Sequence, residues 1–458
     1  MTTRNGKMLA VFLIPLLIGC HLLACGDPNE NERKQLTVYL DFYSINILNP
    51  AIDAFKSSHT DISIHAVDLS ELTMEEYSKK VMTELMAGKG PDVICFHTLL
   101  QQQQDVYKMM ASGAFMNLNP LLQENDAISL NSSVEAVMQA GIYEGKRYLL
   151  PASYMVPLIM TSKSNLEECG LNVGIDTTLE ELTEQYGKYA DRCKESGQPP
   201  KPLFGDPNAF GNAYSLLNMK AFDYENKIVN LNTPTFRAAT EFNRYMDLYK
   251  RDFGDRKDSM TYRWATEGDQ EKVFEGYFFP QERSFIAASA AIIAGYSQPV
   301  ILPVSDSEGG VLAQPLLAFG IRNGCDNPHA AYEFIRTFFT NNFQDGLNDG
   351  ISVRRGGMEI GLYLFTNSAY SYIAESPSSL LTFGPGGDLI DTHQKIAPLP
   401  EAFLDDYRVI ESKIKAAQFD TPFLHKISNE MSGYVAGKEN YETALKKAED
   451  MAKIYISE

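Results

Sequence analysis

The residues of this 458-residue chain that could do chemistry are rings set beside planar polar groups, more than nucleophiles set beside bases. Asp41-Phe42-Tyr43 follows one β-rich run, and Phe96-His97 follows another in the same layer. Tyr154 comes shortly after Pro151, and Asp206, Asn208, Phe210, Asn212 and Tyr214 share one Gly- and Pro-punctuated stretch. Trp264 stands within Tyr262-Arg263-Trp264, a loop-like segment. Such pairs suit a polyol or sugar: the ring face stacks on C–H surface, and the polar neighbours pair hydroxyls that are costly to bury alone. Each ring can equally be a core or lobe-packing residue, and both readings stay open at this point.

Enzymatic patterns are poor by comparison. There is no G-x-x-x-x-G-K-[ST], no H-E-x-x-H and no G-x-S-x-G. The seven histidines include no i, i+4 pair that would set two imidazoles on one helix face, and His59 and His65 read as solvated residues flanking a strand. With 59 carboxylates an acid/base pair of the glycosidase kind is not marked by count alone. No cofactor and no metal are called for.

Composition narrows the class further. The length exceeds one domain of ~150 residues about threefold, so two lobes with their own cores are expected. Hydrophobic residues at 44% and charged residues at 22% are ordinary globular usage, which sets aside collagen-like and disordered readings. A net charge of −19 repels nucleic acid and anionic headgroups.

The amino terminus reads as an address. Arg4 and Lys7 precede an apolar run from Met8 to Ile18, interrupted by Pro15, that resumes at Leu22-Leu23-Ala24. The run is short for a spanning helix, which needs about 20 apolar residues. Leu22-Leu23-Ala24-Cys25 resembles a bacterial lipobox, with Leu17-Ile18-Gly19-Cys20 as a second fit. The polar segment after Cys25 favours Cys25 as the lipidated residue. Residues 1–24 are then a signal peptide and 25–35 a tether. Of the other cysteines, Cys95 reads as a small core residue, while pairing of Cys169 with Cys193 is left open.

Downstream, strands and helices alternate. Leu36 to Leu40, Ile62 to Val67 and Pro91 to Phe96 read as strands. Asn49-Pro50 is expected to open the first helix, and the capping box Thr73-Met74-Glu75-Glu76 the second, which Gly88 closes. That βαβαβ unit implies parallel strands, and without G-x-G-x-x-G it offers no dinucleotide site. A second capping box at Thr178 to Glu181, Thr233-Pro234, Asn327-Pro328 and Asn440 each precede a stripe of helical period.

On these segments the sequence resembles the family 1 extracellular solute-binding proteins, lipoprotein receptors of bacterial ABC importers. Gly88 to Val93 is similar to the family's Gly-rich turn into a PDV strand, and Gly113 to Leu118 to its next element. Tyr143 to Pro151 resembles "dGklYglP", Ile159 to Leu171 the stretch behind it, Thr178 to Leu182 "TweEl", and Asn327 to Phe339 a late helix. Departures fall at Met160-Thr161 and at Ile292 to Tyr296.

The resemblance implies an α/β fold of two lobes, each a mainly parallel sheet flanked by helices, with the ligand in the cleft. It places crossings near 152–157, 315–320 and 360–375. Lobe I then takes 36–153 and 318–365, and lobe II 154–317 and 366–458. Tyr296 stands where the family stacks a Trp on its ligand. Arg354 and Arg355 lie in Ser352-Val353-Arg354-Arg355, which resembles the family's "iPvrk" segment, and read first as an interlobe or surface cation pair.

The expected ligand contacts are therefore Tyr43, Phe96, His97, Tyr154, Asp206, Phe210, Trp264 and Tyr296. The expected function is capture of a sugar or oligosaccharide and its delivery to ABC permease subunits by a monomer held at the membrane by lipid alone. A lipid-anchored carbohydrate hydrolase, a receptor for a non-sugar solute and a surface adhesion protein are the alternatives.

Overall fold

The computed structural model describes residues 34–124, 128, 130–203, 222–253, 272–277, 290, 293–294, 297–347, 350–357, 382–383, 389–390 and 399–458. Cys20, Cys25, Asp206, Asn208, Phe210, Asn212, Tyr214, Trp264, Tyr296 and the third expected crossing at 360–375 lie outside them. In chain order the first elements are β1 (Lys34–Leu40), α1 (Ile45–Ser58), β2 (Ile62–Asp68), α2 (Met74–Met86), β3 (Val93–Phe96), α3 (Thr98–Gln103) and α4 (Val106–Ala111). Then come β4 (Leu149–Met155), β5 (Leu158–Ser162), α5 (Leu179–Glu195), α6 (Pro234–Phe253), β6 (Glu275–Tyr277), β7 (Pro299–Pro303) and β8 (Val311–Ile321). The chain continues through α7 (Pro328–Arg336), β9 (Ile351–Ser352), α8 (Glu401–Ser412), β10 (Ile414–Ala417), α9 (Pro422–Val435) and α10 (Tyr441–Ser457).

The first lobe is built on a seven-stranded sheet in the order β9-β4-β8-β3-β1-β2, with β10 also paired to β8. β1 runs parallel to β2, from Lys34 opposite Ile62 to Leu40 opposite Asp68, and parallel to β3. That is the βαβαβ unit that the period of the sequence predicts. β8 turns the sheet mixed, because it is antiparallel to both β3 and β4. All four residues of β3 and all eleven of β8 are buried, as strands covered on both faces must be.

The helices follow their stripes. Leu48, Ala51, Ile52 and Phe55 of α1 are buried at i, i+3, i+4 and i+7. α2 starts at the expected capping box, with Thr73 and Glu76 bonding reciprocally, and ends with Gly88 at φ +68. There the Lys89 N–H returns to the Glu84 carbonyl and the Gly88 N–H to Leu85, the pattern of a left-handed helix stop. Pro328 opens α7 as expected, and Ala331, Phe334 and Ile335 are buried on it.

One boundary differs: α1 begins at Ile45 and carries Pro50 inside it. The Ile45 N–H donates to the Asp41 carbonyl at 3.0 Å and Leu48 to Ser44 at 2.8 Å, so the turn at Asp41 nucleates the helix before Asn49-Pro50 is reached.

The second lobe's described sheet has three strands in the order β6-β5-β7, antiparallel in both pairs, where a mainly parallel sheet was expected. The period of two divides its faces. Ile159 and Leu302 join a core with Leu182, Phe242, Ile427 and Ala448 from α5, α6, α9 and α10. Leu158, Met160 and Ile301 face the other way and merge, where α8 packs on β7, with the first lobe's core.

Connections between the two bodies run at 156–157, 304–310 and 418–421. Pro315 to Gly320, expected as a crossing, lie inside β8. Residues 399–419, read by sequence as second lobe, place Phe403, Tyr407, Ile414 and Phe419 in the first core, because β10 pairs with β8.

Candidate functional site

The carboxyl ends of β1 and β3 meet in a turn organised by Asp41. Its carboxylate accepts hydrogen bonds from the Tyr43 N–H at 2.9 Å, the Ser44 N–H at 3.1 Å and the Ser44 hydroxyl at 2.6 Å, while Ser44 Oγ accepts the Asp41 N–H. His97 Nε2 lies 3.1 Å from Asp41 Oδ1. Burial alone would raise the Asp41 carboxyl. The His97 hydrogen bond and charge outweigh it, helped by Ser44 and the Tyr43 amide, and bring it down to about 2.

A turn locked this tightly drives the next two rings outward. Phe42 is 64% exposed and Tyr43 48%. Their centroids are 5.2 Å apart at 84°, and Tyr43 lies 5.7 Å from the His97 ring. Two exposed apolar faces therefore stand over a buried acid–imidazole pair, an arrangement that offers stacking area with a hydrogen-bonding group at its foot.

A seam joins the lobes beside this rim. Gln101, wholly buried, donates to the Pro315 carbonyl of β8 at 2.9 Å and accepts the Asp420 N–H at 3.1 Å, which ties α3 to the connection before α9. Asp105 caps α4 and accepts the Tyr455 hydroxyl of α10 at 2.7 Å. Burial raises the Asp105 carboxyl despite that bond. Lys108 Nζ sits 3.9 Å above the Tyr455 ring. The Tyr107 ring stacks on Tyr224 of the 222–229 hairpin at 4.5 Å.

The sequence-predicted contacts separate on this geometry. Tyr43 and His97 come together on the rim. Phe96 has no exposed surface and packs edge-on against Phe115 at 5.5 Å. Tyr154 is equally buried, in a strand paired on both sides. Neither ring presents a face to a solute; a sheet covered on both sides turns both into core. Asp206, Phe210, Trp264 and Tyr296 lie outside the described residues.

Arg354 reaches Asp345 at 2.8 Å, and Arg355 Nε donates to the Ser133 carbonyl at 3.3 Å. The pair therefore anchors a surface turn. Asp41 and Phe42, named in the sequence beside Tyr43 but not among the expected contacts, and Gln101, which the sequence did not mark, are the residues the geometry adds to the candidate site. The spacing Asp41-x-x-Ser44 is the readable sign of the turn that exposes Phe42.

Among the described residues, no group of three or more His, Cys, Asp or Glu could hold a metal ion, and Cys95, Cys169, Cys193 and Cys325 are free thiols. No described helix is long and apolar enough to cross a membrane.

Two α/β bodies, joined among the described residues by the connections at 156–157, 304–310 and 418–421, with an aromatic rim at the carboxyl end of the first sheet, define a two-lobe binding protein of the periplasmic type. The family model of the bacterial extracellular solute-binding proteins matches residues 44–344, and the chain belongs to that family. Its place of action is outside the cytoplasm.

Among solved structures, the sugar-binding protein MalE from Xanthomonas citri is similar, at 12% identity and a TM-score of 0.61, over 93% of this chain and 98% of that one. The cyclic alpha-maltosyl-1,6-maltose binding protein from Arthrobacter globiformis matches at 18% identity and 0.55, over 92% and 98%. The GacH receptor of Streptomyces glaucescens, solved unliganded and with acarbose, matches at 15% and 0.54, over 93% and 98%. These likenesses concern the fold. A comparison of the sequence with curated proteins finds no match.

Proposed function

We propose that the chain is an extracytoplasmic receptor that captures a sugar or oligosaccharide between its lobes, unaltered, and hands it to the permease of an ABC importer. The observation that carries this reading is the exposed Phe42–Tyr43 pair, fixed above the Asp41–His97 couple at the carboxyl edge of the first sheet. Ring faces need no charge on the solute, and a hydrogen-bonding group at their foot serves a hydroxyl. The sugar ligands named for MalE, for the Arthrobacter protein and for GacH support the same class. Asp206, Phe210, Trp264 and Tyr296 are the second lobe's proposed share.

A solute shifts the lobes toward closure only by binding the closed form better than the open one, which requires contacts from both lobes at once. Closure is then what the permease reads. The chain acts as a monomer, held at the membrane by lipid on Cys25. Titration calorimetry of the mature protein with a sugar panel, followed by product analysis of the recovered sugar, tests the reading. Binding of at least one sugar with no product is expected. Heat from a non-sugar solute alone, or a cleaved sugar, contradicts it.

A further inference from the structure

β4 and β8 form the ribbon from which both lobes hang, and its two faces are chemically unlike. Gln314 of β8 pairs with Met155 of β4, so their side chains share a face; the register shifts after Pro315, and Ser153, two residues back along β4, lies with the Leu316 side chain against Gly350. Met155 belongs to the second lobe's core, as does Leu316, two residues on from Gln314. Tyr154, Ala313 and Leu317 belong to the first. The Ser153–Met155–Gln314 face therefore looks toward the second lobe.

On that face Gln314 is 5% exposed and Ser153 has no exposed surface, yet the Gln314 Oε1 and Nε2 atoms and the Ser153 hydroxyl have no hydrogen-bond partner among the described residues. Gln344 and Gln101, also buried, behave differently. Gln344 donates to the carbonyls of Ala152 and Phe338 and accepts from the Ser352 hydroxyl and the Val353 N–H. Gln101 spends both ends of its amide on Pro315 and Asp420. A buried polar group left alone costs roughly 1–3 kcal/mol, so an amide idle at both ends is out of keeping with a purely structural role.

Its position points to the solute. Ala318 of β8 lies opposite Phe96 at the end of β3, so residues before Ala318 run past that end to the side where His97 and Asp41 stand. We propose that Gln314 is a specificity-determining residue of the solute site. Its amide gives one hydrogen bond and takes another from neighbouring hydroxyls of the sugar, with Ser153 Oγ on the same face as a further partner. The face is reached when the lobes part and is sealed when they close. This assignment rests on the sugar reading above and deepens it.

Gln314→Leu removes the amide at nearly constant volume, and Ser153→Ala is the milder second variant. The probes are linear α- and β-linked glucose trisaccharides, read by calorimetry, with the ligand-free Tm measured beside each titration. For Gln314→Leu we expect a Tm equal to or above wild type and sugar affinity down at least about tenfold; Ser153→Ala should lose less at unchanged Tm. An affinity unchanged in both variants, or a lowered Tm with unchanged affinity, overturns the assignment while leaving the sugar reading intact. A wild-type chain that binds neither trisaccharide nor any other sugar overturns the reading and the assignment together.

Discussion

The two lobes bury cores of similar character with sheets of opposite construction, and the difference shows what sequence can carry. In the first, β1, α1, β2, α2 and β3 follow one another within residues 34–96, and β1 takes β2 as a partner across one helix and β3 across two. In the second, β5 pairs with β6 and with β7, strands drawn from residues 158–162, 275–277 and 299–303. Local order specifies the β1–β2–β3 part of the first sheet, to which β4, β8, β9 and β10 are added from distant segments. The second forms only when distant segments return to the same place, and its strands run antiparallel because no crossover helix separates a strand from its partner by one repeat.

That contrast can be broken at its strongest point, the cores. Phe96→Ala and Phe423→Ala remove fully buried rings from opposite lobes. Each is expected to cost about 3–5 kcal/mol in denaturant unfolding, with the folded fraction of Phe96→Ala keeping its sugar affinity. A selective loss of affinity in Phe96→Ala, with stability retained, would return that ring to the site.

A smaller effect is particular to the first lobe. Asp41 titrates at about 2 in the fold, well below its ordinary value, and so adds stability that is fully present above about pH 4 and lost as pH falls toward 2. Asp41→Asn is expected to cost about 2 kcal/mol at neutral pH and to flatten the acid limb of a stability-versus-pH curve. A limb as steep in the variant as in wild type would assign the acid sensitivity to other carboxylates.

The smallest test is the most even-handed. Thr73→Ala and Thr178→Ala delete the same capping-box hydroxyl, one in each lobe. Each should lower stability by about 1 kcal/mol in urea titration. Two unequal losses, or two separate transitions, would show lobes that unfold independently.

What sequence made legible follows the same division. Helix stripes, both capping boxes, the Pro328 start and the parallel unit are patterns of a few residues, set by period and by local hydrogen bonds. The mixed sheet was hidden, because β8 is wholly buried and a strand covered on both faces carries no period of two to read. Tyr43 and His97, singled out for their place at strand ends, stand 5.7 Å apart. Phe96 and Tyr154 looked alike in sequence and differ only in what covers them. Gln314 left no trace, since nothing in its neighbours tells an idle amide from a bonded one.

The central claim is that an uncharged sugar is held on the exposed rings of the first lobe. Titration of the mature chain and of Phe42→Ala with the same sugar panel tests it most directly. Wild-type binding that weakens about tenfold or more in Phe42→Ala, at unchanged Tm, is the predicted result. No heat from any sugar, or equal affinity in the two proteins, would contradict it.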